Sequence, residues 1–318
     1  MLMVKSSTRN FEVHEAAIVY FDAVWRVGSI RAAARKLNVA SSAVNRQIIK
    51  LEAALGTALF DRLPGGLKLT AAGELFAHHT VTVLQDFERM VSRIQALQGL
   101  LAGHVEIDVV EGLCVDLVPD AIGAMRTRYP RITIGCGIRP TAEIPTAILN
   151  GDTHLGAAFQ VARHPGLQQL AVGRFRVGAV VRPDHDLARQ KQVSLRACAQ
   201  YPLIIAKDNL ALRPMLQPAI ERLQLGSRQP IETASLELGK QLVLRGVGVA
   251  FQTKIGLERE LRDGTLVHVP LDDEGPLTQD LGIYARAGVS MPVAVDAFVR
   301  IMKDEMARRQ SEEANLPA

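Results

Sequence analysis

Between Gly28 and Gly73 the apolar residues fall in an order that few backbones satisfy. Ile30, Ala33, Ala34, Leu37, Val39, Val44, Ile48, Leu51 and Leu55 line one side of two short helical repeats. Ser29 is placed to N-cap a helix that runs to Leu37. Asn38 follows where the chain must turn, and asparagine tolerates a left-handed backbone better than most residues. A second helix starts near Ala40–Ser42, and Ala33 and Ala34 are small where the helices must approach. This is the pattern of a helix-turn-helix, a unit that puts its second helix into the DNA major groove.

The next segment adds a wing. Leu59-Phe60 reads as a buried pair, Asp61 to Gly66 as a turn, and Leu67-Lys68-Leu69-Thr70 alternates like a strand. Thr70 is then placed to cap a further helix. Gly28-Ser29, Ala33-Ala34, Leu37, Ala43-Val44, Arg46-Gln47-Ile48, Leu51-Glu52, Leu55-Gly56, Leu59-Phe60, Arg62, Leu69-Thr70 and Ala72-Gly73 follow one another without a break in spacing. Together they resemble the winged helix-turn-helix of the LysR-type bacterial transcriptional regulators.

Ser41, Ser42, Asn45 and Arg46 share one face of the first turns of the recognition helix. Arginine can take guanine O6 and N7 together, and asparagine can pair with adenine. Asn45 and Arg46 are therefore expected at base edges, with Ser41 and Ser42 making mixed base and phosphate contacts. Arg31, Lys50, Arg62 and Lys68 read as phosphate anchors, and Ser29 and Thr70 as caps that reach phosphate through helix N-termini. The resembled family often carries Ser-Gln-Pro/Ser-Ala-Val-Ser where this chain has Ala40-Ser41-Ser42-Ala43-Val44-Asn45. Ser41 replaces the usual glutamine and Asn45 a usual serine, so no operator sequence follows from the resemblance. Charge agrees with a phosphate-facing head. Residues 1–70 carry ten basic and five acidic side chains, +5 in a chain whose total is +4.

From Ala71 to Leu101 there is no proline. Phe76, Thr80, Val83, Phe87, Met90, Ile94, Leu97 and Leu101 recur with alternating spacings of four and three. That is a coiled-coil seam, broken only by Thr80, on a helix of roughly 45 Å. A helix of that length cannot bury such a seam alone. It must pair with a second subunit or lie on the protein's own body. The resemblance implies the former, through Phe76, Val83, Phe87, Met90, Ile94 and Leu97, which would join two heads on a palindromic site.

Beyond Gly103, strands and helices alternate. Strands are expected at Val105–Val110, Ile132–Ile138, Leu155–Phe159, Phe175–Val181, Leu203–Ala206, Ile231–Thr233, Val247–Gln252, Leu266–Val269 and Asp280–Ala285. A final helix is expected from about Val293 to Arg309. The fold class is α/β overall, with largely parallel sheets behind an all-α winged head. This portion resembles the LysR-type effector domain, of periplasmic-binding-protein type. The implied organisation is 1–70 head, 71–102 linker and dimerisation helix, 103–310 effector domain and 311–318 a frayed tail. Within the effector domain, lobe I would hold about 104–180 and 281–310 and lobe II about 181–280. The crossings are expected near Val180–Arg182 and Asp280–Tyr284.

Ligands of two-lobe folds bind at strand C-termini against helix N-termini. By strand position those residues are Glu111, Leu113, Cys114, Arg139, Thr141, Gln160, Lys207, Asn209, Thr233 and Ser235. Arg139 and Lys207 favour an anionic metabolite, whereas Glu111 and Asp116 favour an amine. Cys114 and Cys136 are expected as ordinary buried thiols. The three cysteines show no CxxC spacing, and no metal set or nucleophile–base pair is apparent, so no metal, cofactor or catalytic residue is expected. No apolar run approaches the ~20 residues of a membrane span, and Met1 to Asn10 has no apolar secretory core.

The expected partners are thus double-stranded DNA, a small-molecule effector and a second copy of the chain, with no membrane. The family commonly assembles as a dimer of dimers, with RNA polymerase as a further partner, in the cytoplasm. Two other readings fit the sequence less well. A solute-binding receptor would not carry the wing, and an enzyme with a DNA-reading head would need catalytic residues that 104–318 do not offer.

Overall fold

The computed structural model describes residues 15–97, 102–223, 230–273 and 275–314. The chain forms two compact units that meet in sequence at Phe87 and Glu88. The N-terminal unit opens with helices α1 (Glu15–Val27), α2 (Ile30–Leu37) and α3 (Ser41–Leu55). Strands β1 (Phe60–Leu63) and β2 (Gly66–Leu69) follow, and then α4 (Ala71–Leu97), which carries the chain across the unit boundary.

The sequence dictates these ends. Ser29 accepts from the Ala32 N–H and so caps α2. Asn38 closes α2 in the left-handed region at φ 55°, its N–H returning to the last carbonyls. The strands pair antiparallel, with Phe60 opposite Leu69 and Leu63 opposite Gly66. The Leu67 N–H donates to the Gly28 carbonyl at 2.9 Å, which ties the hairpin to the turn before α2. Phe21 is fully buried at the centre of the head, with ring centroids 5.1 Å from Phe60 and 4.7 Å from Phe76. Val44, Ile48 and Leu51 supply the buried face of α3. Trp25, the sole tryptophan, packs half-buried on this cluster with the Arg26 guanidinium over its ring.

Glu52 does more than its helical position suggests. Its Oε1 accepts from the Leu59 and Phe60 N–H groups at 2.8 and 3.2 Å, which fixes where the hairpin leaves α3. A carboxylate acceptor for two otherwise unpaired amides is worth about 1.5–3 kcal/mol. Glu52→Ala is expected to lower head stability by about that amount. Amide exchange at Leu59 and Phe60 should speed up first, and unchanged exchange at those two amides would contradict the role.

The second unit contains β3 (Gly103–Val109), α5 (Leu117–Arg128), β4 (Ile132–Ile138), α6 (Ile144–Leu149), β5 (Leu155–Phe159) and the long β6 (Leu167–Val181). It continues through α7 (Leu195–Cys198), β7 (Leu203–Ala206), α8 (Leu212–Arg222), β8 (Ile231–Thr233), α9 (Leu236–Leu244) and β9 (Val249–Thr253). It ends with α10 (Glu258–Arg262), β10 (Val267–Pro270), β11 (Thr278–Arg286) and α11 (Val293–Ala314). The strand order is β4-β3-β5-β11-β6-β9-β7-β8, with β10 on β6.

The expectation of largely parallel sheets needs correction, because the curled sheet is mixed. Pairs β3–β4, β3–β5, β7–β8 and β7–β9 are parallel, but every pair that involves β6 or β11 is antiparallel. These two strands run through the middle and join two lobes, so they cannot share the direction of the strands they link. Strand β6 pairs with β11 as far as Arg176 and with β9 from Val177, so its crossing lies before the expected Val180–Arg182. One apolar core lies under β3, β5 and β11 with α5 and α11, and another under β7 and β9 with α8.

Helix α11 runs beyond Arg309, so residues 311–314 are helical rather than frayed, while 315–318 lie outside the described residues. The extension has a cause. The Glu313 carboxylate accepts from the Arg176 N–H at 2.8 Å, where β6 changes partners. Residues 98–101, including Leu101 of the seam, also lie outside the described residues. Among the described residues no helix is long and apolar enough to cross a membrane.

Buried His268 and half-buried Glu258 give opposite pH dependences. His268 on β10 sits against Gly178, where a Cβ would stand 2.5 Å from the ring, and its Nε2 is 3.1 Å from the Gln252 carbonyl. Burial and the Lys254 charge push its pKa down to about 4. The unfolded chain therefore takes up the proton first. Stability supplied by neutral His268 is present above about 6.5 and falls as pH drops toward about 4. The full loss is about 3 kcal/mol. Burial pushes Glu258 up to about 7, as does the neighbouring Asp116, while a backbone N–H and Arg309 oppose the rise. The Glu258 contribution runs the other way, present below about 4.5 and lost as pH rises through about 7. Relative to wild type, His268→Leu should therefore gain stability as pH falls from 6.5 to 4.5, and Glu258→Gln should lose it, in urea unfolding of the full chain. Parallel pH trends in the two variants would contradict the assignment.

Candidate nucleic-acid interface and ligand cavity

Helix α3 buries Val44, Ile48 and Leu51 and leaves Ser41, Ser42 and Arg46 exposed, with Asn45 half-buried at the edge of that face. Lys50 is exposed one turn beyond Arg46. Arg31 on α2 and Arg62 and Lys68 on the hairpin are exposed as well. Among the described residues none of Arg31, Arg46, Lys50, Arg62 and Lys68 has a carboxylate partner, whereas Arg139, Arg174, Arg182, Arg213, Arg308 and Arg309 of the second unit all do. Unpaired cations around a polar helix N-terminus form an anion-seeking surface. Arg35 and Lys36 in the last turn of α2 extend it, and the sequence reading missed them.

The two caps differ. Thr70 is occupied, since its hydroxyl donates to the Ala58 carbonyl at 2.8 Å and accepts from the Gly73 N–H at 3.0 Å. Its hydroxyl therefore holds the hairpin to α4 and is not free for phosphate. Ser29 accepts from the Ala32 N–H at 3.4 Å, and among the described residues its O–H meets no acceptor.

Along α4, Phe76 is buried in the head core and Val83 is half-buried. Phe87, Met90, Ile94 and Leu97 are 51, 47, 48 and 88% exposed. Four large apolar side chains at coiled-coil spacing thus face solvent in the single chain.

In the second unit a cavity of about 280 Å³ opens between the lobes. Of the residues expected at a ligand, Glu111, Arg139, Thr141 and Asn209 line it. The others do not. Leu113 is fully buried in the core beside β3, and Cys114 packs half-buried on the same core, its thiol pushed up by burial and by Glu111. Gln160 lines a separate hollow with Arg163 and Tyr284, and Lys207 another with Arg213 and Glu232. Buried Thr233 and capping Ser235 serve the start of α9. Cys136 is exposed rather than buried. Of the two cations expected to draw an anion, Lys207 lies outside the cavity. Arg139 Nε donates to Asp108 at 2.6 Å, and Asp108 is buried. Glu111 spans the lobes. Its carboxylate accepts from the Ser235 hydroxyl and the Leu236 N–H, both at 2.7 Å, and so occupies the N-terminus of α9. The sequence reading missed Gln252 and Gln279, which also line the cavity.

Comparison with known proteins gives one family for both units. Residues 98–307 match the family model of the LysR substrate binding domain, and residues 16–74 that of the bacterial regulatory helix-turn-helix protein, lysR family. The chain is similar to the HTH-type transcriptional regulator CbbR of Rhizobium meliloti, 27% identical over 90% of this chain and 91% of that protein. Its fold is that of a full-length OxyR variant from Pseudomonas aeruginosa, with a TM-score of 0.71 at 16% identity over 90% of this chain and 96% of that one. Full-length CbnR complexed with target DNA has the same fold, with a TM-score of 0.51 at 20% identity over 92% of this chain and 99% of that one.

Proposed function

Because the chain belongs to the LysR family of bacterial transcriptional regulators, we propose that it reads a two-fold symmetric operator as a dimer and responds to a small molecule held between its lobes. DNA binding and an effector-binding domain come with membership of the family. Base reading is assigned to Asn45 and Arg46, with Ser41 and Ser42 at mixed contacts. Phosphate anchoring is assigned to Arg31, Lys50, Arg62, Lys68 and Ser29. The observation that carries the reading is the polar face at the start of α3, where Ser41, Ser42 and Arg46 are exposed and Asn45 stands half-buried at the edge. A cytoplasmic location and a contact with RNA polymerase belong to the same proposal, as does a dimer of dimers.

Selecting sheared genomic DNA with the purified protein and sequencing the bound fragments tests the operator reading. Enrichment of a few promoter fragments with two-fold symmetry is expected. Uniform recovery across the genome would leave only phosphate binding and refute it.

Dimerisation is assigned to the exposed apolar stripe of α4, which offers Phe87, Met90, Ile94 and Leu97 to the same stripe of a second copy. Met90→Asp/Ile94→Asp should convert the sedimenting species to the chain's monomer mass. An assembly of unchanged mass would move the interface elsewhere.

A further inference from the structure

The chemistry of the cavity wall restricts what it can hold. Among the described residues Glu111 and Arg139 are the only charged side chains that line it, and each is already matched. Both oxygens of Glu111 are bonded at the start of α9, the place where a ligand carboxylate would otherwise find N–H donors and a positive helix end. Arg139 is neutralised by Asp108. An anionic ligand would thus meet a carboxylate beside it and no unmatched cation, and burying an uncompensated charge is costly. An ammonium would find the Glu111 oxygens already accepting.

The rest of the wall is apolar or uncharged. Ile138, Pro140, Phe159, Leu212, Leu236 and Ile255 provide the apolar surface. Gln279 on β11 also lines the cavity and is 4% exposed. Its Nε2 is buried without a hydrogen-bond partner among the described residues. A buried amide donor left unmatched costs about 1–3 kcal/mol, so it calls for an acceptor. A 280 Å³ cavity is roughly twice the ~150 Å³ that accepts a benzene ring, which suits a molecule of about two rings.

We infer that the cavity takes an uncharged, mainly apolar small molecule of one to two rings whose hydrogen-bond acceptor meets Gln279, while Glu111 stays in place as the strap between the lobes. This rests on the proposal that the inter-lobe cavity is the effector site, and it replaces the anionic metabolite suggested by Arg139 and Lys207 in the sequence.

A charge series of one shape tests it: 2-naphthamide, 2-naphthoate and 2-naphthylmethylammonium, titrated calorimetrically into the full chain at neutral pH. The amide should bind at least about tenfold tighter than either ion. Gln279→Leu should weaken the amide roughly three- to tenfold and leave the weak binding of the ions unchanged. Equal or tighter binding of the carboxylate or the ammonium overturns the inference, as does an amide that fails to bind at millimolar concentration. Ala211→Trp, which fills the cavity, separates this from failure of the site itself. A charge preference of the wrong sign that is abolished in Ala211→Trp overturns the ligand class alone. Amide binding that survives Ala211→Trp overturns the cavity as the site, and the inference with it.

Discussion

Replacing Gly73 with alanine is expected to destabilise the N-terminal head by at least about 3 kcal/mol, raising its open population roughly a hundredfold. A Cβ on Gly73 would stand 2.1 Å from the Leu59 carbonyl oxygen and 3.1 Å from Leu69 Cδ2. The nearest obstacle is backbone, and that backbone is anchored on all sides. The Leu59 N–H is held by Glu52, its carbonyl accepts from the Thr70 N–H, and its side chain is buried. Relief therefore requires α4 to pull away from the hairpin, which breaks the Thr70 cap and opens the face of the core that Phe76 covers. Hydrogen exchange should show the loss in α1 to α3 and β1–β2, with protection of β3, β5 and β11 retained, and duplex binding should fall in proportion. Wild-type protection in the head of Gly73→Ala would refute the argument.

The second large effect belongs to the recognition face. Asn45→Ala/Arg46→Ala removes the two side chains proposed to read base edges, where a bidentate pair to a purine is worth about 1–3 kcal/mol of discrimination. Specific affinity should drop by about a hundredfold or more, while binding to random duplex changes only by the one lost charge. Competition titrations against operator and random DNA at fixed salt distinguish the cases. Lys50→Ala/Lys68→Ala should instead weaken both DNAs equally and flatten the salt dependence by about two phosphate contacts. If the double alanine variant of Asn45 and Arg46 weakens both DNAs equally, these side chains touch phosphate and the bases are read elsewhere.

The head was legible because its determinants are local. Asn38 and Ser29 act within a few residues of themselves, as does Thr70 in capping at Gly73, and the apolar frame of α3 repeats at helical period. Strands at Ile132–Ile138, Leu155–Phe159, Leu203–Ala206 and Ile231–Thr233 were equally plain, being short runs rich in β-branched or apolar residues. What escaped depends on distant partners. The first half of β6 carries Gln168, Gln169 and Arg174, and only its pairing with β11 makes it a strand. Gln279 gains its place in the cavity from the same pairing, opposite Phe175. Lys207 misled for the converse reason, since a charge is visible in sequence but the hollow that receives it is not. Glu111 stood in the expected segment, but its bond to the start of α9 joins residues 124 positions apart.

The placement of Trp25 has a practical consequence. It is the chain's sole tryptophan and lies in the N-terminal unit, so the ligand-holding unit is dark to excitation at tryptophan's red edge. A fluorescence change on ligand addition would therefore be an intrinsic, label-free optical signal of communication from one unit to the other. Ligand titrations on unmodified protein with and without operator DNA would give two affinities, whose ratio gives the coupling free energy between effector and operator sites.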